Sequence, residues 1–100
     1  METEELINYF DNIILPYERK LFNRNFNMQE VLLEELMNSV KTEFLNILSN
    51  SSEAGEEWFK LEKVFFPLLL GILEDRNHSE LNNKLKKFSY TVVEVISNLS

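Results

Sequence analysis

No cysteine occurs in this 100-residue chain. A disulfide framework and a thiolate metal site are both excluded on that ground. Only two glycines and two prolines are present, and no Asn-Gly or Asp-Gly pair. An all-β fold needs turn residues in greater number. The longest wholly apolar run, Val64 to Leu73, is ten residues and contains Pro67 and Gly71. A membrane-spanning helix needs roughly 18 or more. The opening Met1-Glu2-Thr3-Glu4-Glu5 is acidic where a secretory signal is basic. The expectation is a soluble, cytoplasmic protein with no membrane partner. Positive charge is also scarce: ten Lys and Arg stand against 17 Asp and Glu, for a net charge of −7. Nucleic-acid binding is driven by Lys and Arg neutralising phosphates, so direct nucleic-acid binding is not expected. A basic protein partner is.

The parts of a catalytic centre are missing too. His78 is the only histidine, so any serine triad must be built on it. No serine lies in a strand–turn–helix elbow, and no glycine-rich phosphate loop exists. Adjacent carboxylates such as Glu34-Glu35 or Glu56-Glu57 diverge on a helix and cannot flank one substrate. Glu74 and Asp75 precede His78 at the spacing of half a carboxylate–histidine metal motif, but the second half is absent. The reading is not an enzyme, with no catalytic residue, no metal and no cofactor; His78 is placed in a surface loop.

What the chain does contain is helical periodicity. Leu6, Phe10, Ile13, Tyr17 and Leu21 form an i, i+3, i+4 stripe that stays in phase across Pro16. One helix kinked at Pro16 is favoured, with two helices and Pro16 at N1 of the second as the rival. Asn27 followed by Glu30 reads as a capping box, with Phe26 and Val31 placed as a hydrophobic staple. The second helix then carries Leu33, Met37, Val40, Phe44 and Ile47. Ser51 or Ser52 is expected to cap the third, in which Trp58, Leu61 and Phe65 share a face. From Val64 to Leu73 no polar side remains, and a helix apolar all round is a buried one. Asn77 with Glu80, or Ser79 alone, starts the fourth, whose stripe is Leu81, Leu85, Phe88, Val92, Val95 and Leu99. The expected fold is all-α: a single domain, residues 1–100, forming an antiparallel four-helix bundle. Its helices are placed at 3–22, 28–48, 52–75 and 79–98, with kinks near Pro16 and Pro67.

In an up-down bundle the first and third helices start at the same end. Glu2, Glu4 and Glu5 then converge with Glu53, Glu56 and Glu57 into one negative patch. Carboxylates at helix N-termini also complement the helix dipole. Lys84, Lys86 and Lys87 make a small basic cluster at the other end. Aromatics beside acids are typical interface anchors, so Trp58 and Phe59 join the six glutamates as the candidate partner-binding residues. Phe65-Phe66-Pro67 resembles, in residue type, the aromatic–aromatic–proline motif of the immunity proteins of nuclease colicins, four-helix domains with acidic binding faces. The likeness covers three residues, and the apolar neighbours Val64 and Leu68-Leu69-Leu70 predict a buried motif; the chain is not assigned to that family. The function expected is an acidic helical binding protein that occludes a basic partner, as a toxin immunity protein or phage-type inhibitor does. The alternative is a homodimeric helical assembly or adaptor module that uses surplus apolar surface.

Overall fold

The structure is a computed structural model that describes residues 2–100. Five helical segments follow in order: α1 (Thr3–Ile14), α2 (Pro16–Phe22), α3 (Phe26–Ile47), α4 (Ala54–Glu74) and α5 (His78–Leu99). The first two are halves of one bent rod. Leu15 between them keeps helical angles, and its N–H still reaches the Asp11 carbonyl at 2.9 Å. Pro16 stands at N1 of α2, where its missing N–H had no intrahelical partner to lose. The chain therefore bends at Pro16 and goes on. The result is an all-α bundle of four rods.

Two tyrosine–carboxylate pairs fix how the first rod lies on α3. Tyr9 donates to Glu43 at 2.5 Å and Tyr17 donates to Glu35 at 3.1 Å. Eight residues separate the members on each side, in opposite directions, so the two rods run antiparallel in one register across the bend. The core is packed between the rods. Trp58 of α4 lies 5.5 Å from the Phe44 ring of α3 and 6.3 Å from Phe88 of α5, and Phe65 lies 4.9 Å from Phe88. Phe10, Ile14, Leu21, Leu33 and Leu36 are fully enclosed around them. Each such side chain contributes roughly 1.5–3 kcal/mol on burial.

Several boundaries differ from those expected. α3 is capped by Asn25, whose side chain accepts from the Met28 N–H at 3.0 Å, two residues before the expected Asn27. Gln29, four and seven residues before Leu33 and Leu36, falls in the buried stripe and faces inward. Its amide donates to the Leu21 carbonyl at 2.8 Å, a C-terminal acceptor of the short α2. Phe26 and Val31 are both exposed, so no staple forms between them. α4 begins at Ala54 and not at residue 52; Ser51 accepts from the Glu53 N–H at 3.3 Å just ahead of it. Of the two caps expected for α5, it is Asn77 and not Ser79 that serves, accepting from the Glu80 N–H at 3.2 Å. His78 is thereby the first residue of α5, not a loop residue.

The Val64–Leu73 stretch is not buried on every side. Phe65, Leu69, Ile72 and Leu73 are buried, but Val64 is 59% exposed and Leu68 37%. Pro67 is exposed, and Phe66 and Leu70 are half-buried. The reason is geometric. In a ring of four rods each helix has two flanking neighbours, here α3 and α5 for α4, and its outer side meets water. α4 is continuous across Pro67. The carbonyl that the proline frees belongs to Lys63, on the same exposed side, where water can satisfy it. In the last turns of α5 the buried stripe runs through Val92, Val93 and Ile96, with Val95 and Leu99 only partly covered.

Candidate functional site

The alternation of the rods gathers charge by sign. Segments 2–11, 43–57 and 88–100 hold nine of the 17 acidic residues and none of the ten basic ones. These segments share one half of the molecule. Tyr9 meets Glu43 there, and the α3–α4 connection forms one shallow cavity with Leu99 and Ser100. Glu2, Glu4, Glu5, Glu53 and Glu56 are exposed, and Glu57 is half-buried, 3.2 Å from Lys60. None of the six accepts a side-chain cap bond at its own helix start. Their carboxylates act on the helix dipoles and on whatever approaches from solvent.

Trp58 and Phe59 separate. Trp58 is 2% exposed, held in the core by Phe44 and Phe88, with its indole N–H donating to Glu62 at 3.2 Å. It belongs to the packing stripe of Ala54, Leu61 and Phe65, and that removes it from the expected contact patch. Phe59 points the other way and is 63% exposed. It lines a groove of about 660 Å³ between α3 and α4, with Glu34, Asn38, Glu62, Lys63 and Phe66 among its walls. The Lys63 ammonium sits 5.8 Å from the centre of the Phe59 ring.

A second cluster, at the opposite end, has no counterpart in the reading of the sequence. Glu18 of α2 accepts from the Asn82 amide at 2.6 Å and meets the His78 Nε2 at 2.7 Å. The His78 ring stacks on Phe22 with centroids 4.4 Å apart, and the Arg76 guanidinium lies 5.2 Å from the same phenyl ring. Arg76 has a left-handed backbone, φ 54°. It is the C′ residue of a Schellman turn: its N–H bonds the Leu73 carbonyl at 3.1 Å and the Asn77 N–H bonds that of Ile72 at 3.2 Å. His78 thus turns to Glu18, sixty residues away in the chain, and not to Glu74 or Asp75. The cluster ties the end of the bent rod to the start of α5. A partner at that sequence separation leaves no local signal.

The hydroxyls of Tyr9 and Tyr17 have pKa values above the ordinary tyrosine value. For Tyr9 the hydrogen bond to Glu43 is the main cause, with burial and the negative charge adding to it. For Tyr17 burial leads, a bond with Ser39 opposes it, and Glu35 adds to it.

No helix among the described residues is long and apolar enough to cross a membrane. Compared with protein-family models, curated proteins and solved structures, the chain matches none.

Proposed function

We propose that the protein is a non-enzymatic binding protein whose acidic half occludes a basic surface on a partner protein, as a toxin immunity protein or a phage-encoded inhibitor does. The separation of charge carries this reading. Segments 2–11, 43–57 and 88–100, gathered toward one end, hold nine carboxylates and no basic residue, with Lys60 reaching Glu57 at their border, while the remaining eight acids and ten bases leave the rest of the sequence slightly positive. Such a field orients an approaching basic surface and speeds its encounter. The exposed Phe59, at the border of that half, supplies the desolvated aromatic anchor that electrostatic steering alone does not. Trp58 contributes by holding α4 in place from within, not by contact.

The test is affinity capture at low and high salt, with captured proteins identified by mass spectrometry. The partner is then titrated against the wild type, a Glu53→Lys, Glu56→Lys, Glu57→Lys triple variant and Phe59→Ala. Expected are a basic partner, a steep loss of affinity with salt, and a further loss of about tenfold or more in the triple variant. Circular dichroism checks that the variants keep their helices. A partner whose binding is indifferent both to salt and to these substitutions overturns the proposal.

A further inference from the structure

Beyond the acidic half, the outer face of α4 has a pattern that packing within the molecule does not require. Lys60, Val64, Pro67, Gly71 and Glu74 recur at four- and three-residue intervals along one side of the helix, all exposed but Gly71, which is half-buried. This is the spacing of a helix–helix contact stripe, yet no helix of the bundle covers it. Gly71 sharpens the point. A Cβ placed there meets nothing within 4 Å, so no neighbour inside the molecule demands a glycine. Glycine and proline both disfavour a helix interior, and here both fall on the uncovered side.

We propose that this face pairs with the same face of a second copy, the two α4 helices running antiparallel about a two-fold axis beside Pro67. The charges choose this occupant. Lys60 and Lys63 stand at one end of the apolar stretch and Glu74 and Asp75 at the other. A two-fold at Pro67 sets Lys60 of each copy opposite Glu74 of the other, and Val64 opposite Gly71. An isologous interface must be complementary to itself, with each contact occurring twice; this stripe is, in charge and in shape. The Lys60 side chain is 62% exposed even while it bonds Glu57, which leaves its ammonium donors to share. Leu68, partly exposed on the same side, widens the apolar centre. One helix face of about four turns lies at the small end of the interface range, so the dimer is a weak one, dissociating in the micromolar range.

Sedimentation velocity over a concentration series, at low salt, tests this. The wild type is expected to pass from monomer to dimer as concentration rises through the micromolar range. Two charge variants, Lys60→Glu with Lys63→Glu and Glu74→Lys with Asp75→Lys, are each expected to remain monomeric, because like charges then face each other at both ends. Mixing the two variants restores opposite charges at both ends, and a one-to-one heterodimer forms at least tenfold tighter than either variant alone. Gly71→Leu fills the position facing Val64 and abolishes the dimer while keeping the monomer's helicity, since nothing inside the molecule contests that space. A wild type that stays monomeric to several hundred micromolar overturns the proposal, as does a mixture of charge variants that fails to associate. A dimer insensitive to all three substitutions places the contact elsewhere and overturns it equally. The Glu74→Lys, Asp75→Lys variant and Gly71→Leu leave the six glutamates and the Lys60–Glu57 pair intact, so with these two variants this interface and the partner-binding reading stand or fall separately.

Discussion

Ser89 is fully buried on α5, and its hydroxyl has no hydrogen-bond partner among the described residues. Thr42, Thr91 and Ser100 each return their hydroxyl to the carbonyl four residues earlier, at 2.9, 2.7 and 2.6 Å. Ser89 does not, and a desolvated hydroxyl without a partner is destabilising by about 1–3 kcal/mol. Ser89→Ala removes that group and changes little volume. It is expected to stabilise the fold by about 1 kcal/mol, which raises the melting temperature by roughly 4–8 °C in a domain of this size. Urea and thermal melts of the two proteins decide it; a lower melting temperature would show that the hydroxyl does find a partner. Trp58 and Phe59 teach a related lesson. Both are aromatic and both lie near acids, which is why composition groups them as a contact pair. Adjacent residues on a helix point about 100° apart, so at most one can face a given surface. The interval from Ala54 through Trp58 and Leu61 to Phe65 already places Trp58 inward, and burial follows the interval rather than the composition. At Arg76 the residue type gave no warning. Its left-handed backbone is a position where glycine is usual, and the Phe22 ring and carbonyl that hold its guanidinium come from the far side of the bundle.

The elements themselves were largely legible, because helical periodicity needs only neighbours in sequence. Their ends were less so. In Asn23-Arg24-Asn25-Phe26-Asn27 any of the asparagines can cap; the chain uses Asn25, and the tertiary bond from Gln29 to the Leu21 carbonyl, eight residues back, fixes the start of α3 against the end of α2. The register between rods was likewise not readable, since it rests on Tyr9–Glu43 and Tyr17–Glu35. Those pairs predict an alkaline response. Both hydroxyls titrate above the ordinary value of 10.0, so the folded state holds their protons more tightly than the unfolded state does. The stability they contribute is complete below pH 10 and is lost as pH rises through the folded-state value. A Tyr9→Phe, Tyr17→Phe variant lacks that loss. Its unfolding free energy is expected to fall less steeply than the wild type's between about pH 9 and pH 12, when both are measured by urea titration. Equal slopes would mean that the two hydroxyl–carboxylate bonds do not survive in solution.

At the scale of the whole molecule, the bundle measures 39 × 24 × 16 Å and its charge is unevenly spread along it. The gathering of acids at one end follows from rods that alternate in direction, and in that sense was readable before any coordinates. The open face of α4 was not. Treating an all-apolar helix as buried assumes neighbours on every side, and a ring of four rods supplies only two. Salt acts on these two surfaces in opposite ways to its effect on the fold. Two ion pairs between permanently charged groups, Lys60–Glu57 and Lys84–Glu80, occur among the described residues, both at the surface, and each contributes about 1 kcal/mol or less. The nine carboxylates gathered at one end repel one another over distances that added salt screens, with a Debye length of about 10 Å at 0.1 M. Relief of that repulsion is expected to outweigh the loss of two weak pairs. The melting temperature at low protein concentration is therefore expected to rise with sodium chloride, by roughly 4–8 °C for each kcal/mol of repulsion removed. The same salt weakens the pairing of Lys60 with Glu74 between copies and the capture of a basic partner. Calorimetry and sedimentation across one salt series should show stability rising while association falls. A melting temperature that drops with salt, in step with association, would mean that the surface ion pairs outweigh the repulsion and that the acidic half is not under strain.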